Sequence, residues 1–191
     1  SPYTSTMAIQ LTKAQIDAAL PKVEPGLKQY LWLQAKAFGR GQFHDDAEFR
    51  RRYNHFYRVR RAAAWQKIFY GLMARAMQEQ LQFHSVLDLL RESTGRYESS
   101  FTSKLIATLN PSKPVIDSVV LKKLGLRLPS AKTANRAAAI SSLHQKLESL
   151  FADFLGTDSG KYLVHAFDSL YPDTGITDEK KLDFVLWQSR G

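Results

Sequence analysis

Apolar residues along this chain recur three and four positions apart almost from end to end, the pattern of helices that each bury one face. After Asp45 and Asp46, the residues Phe49, Tyr53, Phe56 and Tyr57 fall at i, i+4, i+7 and i+8. Trp65, Phe69, Leu72, Met73 and Ala76 continue the spacing, which predicts one long helix or a broken pair. Ile140, Leu143, Leu147, Leu150, Phe151 and Phe154 predict another long helix, stopped at Gly156. Thr12 and Gln15 can form a capping box for a short helix closed before Pro21, and Pro25 can open the next towards Gly39. Near the C-terminus, helices are predicted over about Asp158 to Leu170 and, behind the N-cap Thr177, about Asp178 to Gln188. No segment alternates in the manner of a strand. The expectation is an all-α, multi-helix single domain over residues 7–191, with residues 1–6 ahead of Met7 a vector-derived leader.

The middle third predicts a helix-hairpin-helix unit at about residues 85–110. Val86, Leu87, Leu89 and Leu90 suit a short helix ending near Gly95, and Phe101, Leu105 and Leu109 share one face of a second helix. A tight connection through Arg96, Tyr97, Glu98 and Ser99 lies between them. Such a unit aims backbone N–H groups at a phosphate from the hairpin and the start of the second helix, so Ser99, Ser100, Thr102 and Ser103 are candidate DNA-binding positions. Residues 110–114 end the second helix, and Asp117 is placed to cap a third.

Composition narrows the chemistry. With 191 residues, 44% hydrophobic, the chain is long enough for one ordinary core. It contains no cysteine, which excludes disulfides, thiolate zinc sites and iron–sulfur clusters. The five histidines show no metal-binding spacing, Gly39 and Gly41 read as a turn, and Asp178, Glu179 and Asp183 read as acids of an early helical turn. No cofactor is called for. No run of apolar residues approaches a membrane span, so a soluble, cytoplasmic protein is expected.

The net charge is +9, from 27 basic and 18 acidic residues, and six arginines with no acid lie between Arg50 and Arg61. On a continuous helix Arg50, Arg51, Arg58 and Arg61 would gather opposite Phe49, Tyr53 and Phe56, with Arg52 and Arg60 nearer the apolar seam. That face could track phosphates, which makes DNA the expected partner and a membrane surface not one.

Ser99-Ser100-Phe101-Thr102-Ser103-Lys104 is followed, thirteen positions after the lysine, by Asp117 within Val115-Ile116-Asp117-Ser118-Val119-Val120. Here the chain resembles the helix-hairpin-helix DNA glycosylases, the superfamily of endonuclease III and 8-oxoguanine glycosylase, over about residues 85–125. The runs Phe49-Arg50-Arg51-Arg52-Tyr53, Phe56-Tyr57-Arg58-Val59-Arg60-Arg61 and Ser103-Lys104-Leu105-Ile106-Ala107-Thr108-Leu109-Asn110-Pro111 also look like a bacterial family related to that superfamily. The resemblance implies that Lys104, at the start of the second hairpin helix, is a catalytic nucleophile and that Asp117 is a catalytic carboxylate. It implies base excision on an extruded nucleotide, with the lysine amine made nucleophilic by burial and by the helix N-terminus. The residues alone leave two other classes open: a helix-hairpin-helix DNA-binding protein without catalysis, and a helical protein-interaction module whose arginine stripe meets an acidic partner.

Overall fold

The fold follows from short capped helices that each turn an apolar stripe inward. A computed structural model describes residues 7–40 and 45–189. The leader assigned to residues 1–6 and the Gly41 side of the expected glycine turn lie outside the described residues. Chain order among the described residues is α1 (Lys13–Ala19), a 3-10 turn (Leu20–Val23), α2 (Glu24–Arg40), α3 (Ala47–Tyr57), α4 (Ala63–Glu79) and α5 (Phe83–Thr94). Then come α6 (Ser99–Leu109), α7 (Ser118–Lys123), α8 (Arg136–Leu155), α9 (Asp158–Leu170) and α10 (Asp178–Gln188). The architecture is all-α and forms a single domain, as the spacing of apolar residues predicts.

Local signals set many of the boundaries. Thr12 and Gln15 bond reciprocally at the start of α1, and Asp46, Asp117, Thr157 and Thr177 each accept a backbone N–H at the start of α3, α7, α9 and α10. Helix α5 ends at Gly95, whose φ of 80° is a conformation that glycine adopts without a side-chain clash. At Gly160 the reason for glycine is space: a Cβ there would lie 2.0 Å from the Phe154 carbonyl oxygen, so α9 starts hard against the end of α8.

One continuous core joins the helices. Phe49, Tyr53, Phe69 and Tyr70 bury their rings between α3 and α4, while Leu143, Leu147, Leu150, Phe151 and Phe154 bury the inner face of α8. Helix α10 packs on α1, α7, α8 and α9, and is buried on most of its circumference. Phe49, Tyr53 and Tyr57 of α3 are therefore core residues, while Phe56 is half-buried.

The arginine-rich segment departs from a continuous helix. Helix α3 stops at Tyr57, and Arg58 takes a left-handed conformation, φ 57° and ψ 46°. Val59 is buried, and α4 begins only at Ala63. The break divides the expected phosphate-tracking face, leaving Arg50 and Arg51 on α3 and Arg58 and Arg61 in the turn beyond it.

Arg61 makes two hydrogen bonds to the Glu98 carboxylate, at 2.8 and 3.0 Å, and lies over the rings of Trp65 and Phe101. Glu98 is only 6% exposed. The pair staples the α3–α4 turn to the residue preceding α6, so this arginine acts in the fold and not as an open phosphate ligand. Removing one partner from a buried ion pair strands the other charge. Arg61→Ala is expected to cost about 3 kcal/mol in urea denaturation, near the low end for buried pairs because the arginine keeps some solvent contact. Arg61→Ala combined with Glu98→Gln is expected to recover part of that loss.

Candidate functional site

The site is assembled by a loop pinned from three sides. Residues 110–117 connect α6 to α7. Thr177, at the start of α10, donates its hydroxyl to the Pro111 carbonyl at 2.8 Å. The buried His144 of α8 lies 3.2 Å through Nε2 from the Pro114 carbonyl. Ser103 of α6 accepts the Ile116 N–H at 2.7 Å and donates its own hydroxyl to Ser100 O. Because Ser103 precedes Lys104 and Ile116 precedes Asp117, that one bond helps bring the two candidate catalytic residues to the same cavity walls.

Lys104 and Asp117 line two adjoining cavities of about 670 Å³ each, and Arg58 stands in the wall of both. The first is bounded by the end of α3, the loop and α10, and includes Phe56, Arg60, Asp183, Phe184 and Trp187. The second lies over α7 and includes Ser100, Ser118, Lys122 and Arg127. The first carries aromatic rings among its walls, and the second sets Lys122 and Arg127 beside Ile116, Leu121, Leu126 and Leu128.

The Lys104 amine donates to the Tyr57 carbonyl at 2.8 Å and lies 4.9 Å from the centroid of Phe101. That carbonyl belongs to the last turn of α3, where carbonyls lack helical partners. Lys104 is the sixth residue of α6, beyond the first turn, so the helix dipole contributes less than its expected position at the helix start implied. Burial is the main influence and pushes the amine below the ordinary lysine range; Asp117 opposes this and Arg58 adds to it.

Asp117 Oδ1 accepts the Val119 and Val120 N–H groups at 2.8 and 3.3 Å. This is the cap anticipated from the sequence. Its Oδ2 has no hydrogen-bond donor among the described residues and is available to a ligand.

The other candidate positions scatter. Ser99, Thr102 and Ser103 are buried, and the Thr102 and Ser103 hydroxyls are spent on Glu98 O and Ser100 O. Of the four hairpin positions, Ser100 lines the second of these cavities. Arg50 is half-buried on α3, and Arg51 is exposed with a 3.9 Å contact to Glu48. Arg58, exposed, lies over Trp187 at 5.4 Å.

Two residues at the site were not anticipated. The Lys180 amine is buried within 4.8 to 5.8 Å of the ring centroids of Tyr30, Phe184, Phe56 and Tyr57. It pairs with Asp183 Oδ2 at 3.0 Å. Burial disfavours its charge, but Asp183 and the surrounding tyrosines more than offset that, holding the amine above the usual lysine range. The rings reinforce the cation from four sides. The sequence of α10 gives no sign of this pair, because Tyr30 and Phe56 come from distant helices.

Comparisons with protein-family models, with curated proteins and with solved structures find no match. No three histidine, cysteine, aspartate or glutamate side chains converge on a metal-sized site among the described residues, and no described helix is long and apolar enough to cross a membrane.

Arg58 concentrates the cost of this arrangement. A non-glycine residue in the left-handed region costs about 1 kcal/mol. Arg58→Gly is expected to raise stability by up to about 1 kcal/mol, because glycine relieves that strain while losing the contact with Trp187. If the cavities take DNA, the same variant weakens duplex binding and lowers the salt-dependence slope by about one unit. Thermal or urea unfolding and salt titrations of duplex binding measure the two effects.

Proposed function

We propose that the protein binds DNA and acts at the Lys104–Asp117 cleft on an extruded nucleotide, as a DNA glycosylase with abasic-site lyase chemistry. The observation that carries this reading is the shared cleft: an amine depressed by burial and a carboxylate with one oxygen open, in the wall of cavities large enough for a nucleotide. The second cavity, with Arg58, Lys122 and Arg127 in its wall, would receive the sugar–phosphate backbone. It replaces the expected α3 stripe as the phosphate path, while the α5–α6 unit, read as a helix-hairpin-helix, would support the duplex beside it.

In the proposed reaction the neutral Lys104 amine attacks the anomeric carbon of the deoxyribose. The glycosidic C–N bond breaks, and the base departs with the bonding electrons and takes up a proton. Loss of a proton from the attached nitrogen and opening of the sugar ring leave a Schiff base between Lys104 and the sugar. Removal of a C2′ proton then expels the 3′ phosphate by β-elimination, and water releases the lysine. Asp117 would stabilise positive charge on the sugar as the base leaves, or accept the proton that the amine gives up. Its helix cap fixes the carboxylate before substrate arrives.

A DNA-binding protein without chemistry is the second reading. The bond from Lys104 to Tyr57 O favours it, since that lysine already has a structural partner. In the catalytic reading the bond must be given up on substrate binding.

Borohydride reduction of the protein on a duplex with an abasic site separates the two. Wild type is expected to give a covalent adduct, and Lys104→Ala none, with duplex affinity changed less than about threefold. Absence of a wild-type adduct, or an adduct that survives Lys104→Ala, removes the assignment of this lysine.

The pH dependence follows from the neutral amine. Adduct formation should rise with pH through the Lys104 titration, at a midpoint below the roughly 10.4 of an ordinary lysine. Asp117→Asn removes a charge that favours the ammonium form, so it should move that midpoint lower. It should also slow base release, while asparagine still caps α7 and stability changes little.

A further inference from the structure

Resting on the reading of the cleft as a nucleotide site, we propose that Asp183 is a specificity-determining residue that selects an extruded base with two adjacent N–H donors, the edge of guanine or another 2-amino-6-oxopurine. Asp183 belongs to α10, lines the aromatic compartment and has 17% of its side chain exposed. One carboxylate oxygen accepts from Lys180 at 3.0 Å, and the other has no donor among the described residues. The lysine is held inside a box of Tyr30, Phe56, Tyr57 and Phe184. Asp183 is thus fixed by a buried partner and lines the cavity with one oxygen uncommitted.

The chemistry of the bases decides which one fits. A carboxylate offers acceptors only. Guanine places N1–H and an amino N–H side by side, matching two carboxylate oxygens, and Asp183 Oδ2 can accept from Lys180 and a ligand together because it has two lone pairs. Hypoxanthine keeps N1–H but lacks the amino group. Adenine and cytosine set a ring-nitrogen acceptor beside their amino group, facing it towards the carboxylate. Thymine flanks one N–H with two carbonyls. In each of these, an acceptor faces an acceptor or a donor is missing, and a polar site rejects such mismatches strongly because its buried groups are left unpaired.

The walls suit the same ligand. Phe56, Phe184 and Trp187 contribute apolar ring surface to the wall of the same cavity. Arg58, Arg60 and Lys104 stand in the same cavity with a charge suited to the phosphate and sugar of a nucleotide. Lys180 also borders this cavity, but its amine is buried and paired with Asp183, so it is a positioning residue for Asp183 and leaves attack on the sugar to Lys104.

The test is binding of free 2′-deoxynucleosides to the full chain, followed by ligand-observed NMR. 2′-Deoxyguanosine is expected to bind at least tenfold more tightly than 2′-deoxyinosine, 2′-deoxyadenosine, 2′-deoxycytidine or thymidine. Asp183→Asn should erase that preference, since an amide offers one acceptor and turns a donor towards the base. Should Lys180 without its partner unfold this variant, Lys180→Met combined with Asp183→Asn supplies the same test, because methionine fills an aromatic box without a charge. Equal affinities, no binding of any nucleoside, or a guanosine preference that survives either folded variant would overturn the assignment. Abasic DNA carries no base at the reacting sugar, so its adduct tests the Lys104 chemistry separately. An adduct without guanosine preference defeats the Asp183 proposal alone, and a guanosine preference without an adduct supports it while defeating the lyase reading.

Discussion

The geometry of the site depends on where α3 stops. Had the helix continued through Arg58, the Tyr57 carbonyl would be committed to a helical N–H and Arg58 would point along α3. Instead the left-handed cap ends the helix, the Arg58 and Val59 N–H groups turn back to Asn54 O, and the Tyr57 carbonyl is left to accept the Lys104 amine. The same turn carries Arg58 to the wall between the two cavities and brings Arg61 to Glu98 at the head of α6. A strained residue thereby joins two helices that are 47 positions apart at the Lys104 contact. Strain of this kind persists where the surrounding structure outweighs it.

Two lysines of the cleft illustrate how environment divides one side-chain type into different roles. Lys104 is half-buried against a neutral carbonyl, with no carboxylate within ion-pair distance among the described residues, and its charged form is disfavoured. Lys180 is more deeply buried, yet Asp183 contacts it directly and four rings surround it, so its charge is retained. Burial alone would have lowered both. Separation of the titration behaviour of paired groups is a recurrent physical basis for assigning a nucleophile beside a fixed charge. The loop that bears Asp117 completes the arrangement, because its three anchors come from α6, α8 and α10. Substitutions in the core of α8 are thus connected to the site through His144 without touching it.

Much of the helical architecture was legible in local sequence. The Thr12–Gln15 box, the caps at Asp117 and Thr177, and the stops at Gly95 and Gly156 are short-range features, each read from the residues beside it. The aromatic spacing after Asp46 also located the core face of α3. The arginine stripe failed because helical periodicity continues smoothly through residues 58–62, and no glycine or proline there announces the break. Glu98 and Arg61 are 37 positions apart, so their pairing depended on tertiary contact. Asp183 looked like an early-helix acid for the same reason: its significance lies in an aromatic box assembled from α2, α3 and α10. Lys104 and Asp117 were singled out through their motifs, while the bond between Ser103 and Ile116 that helps bring them together emerged only in three dimensions.

The central claim is that the cleft holds Lys104 in a state different from a surface lysine, through burial opposed by Asp117. Its most direct measurement is an NMR titration of the lysine side chains in the folded chain, with the Lys104 resonance assigned by Lys104→Arg. The account predicts that Lys104 titrates below the ordinary lysine range, and lower again in Asp117→Asn. A Lys104 that titrates with the exposed lysines, and does not respond to Asp117→Asn, would contradict it.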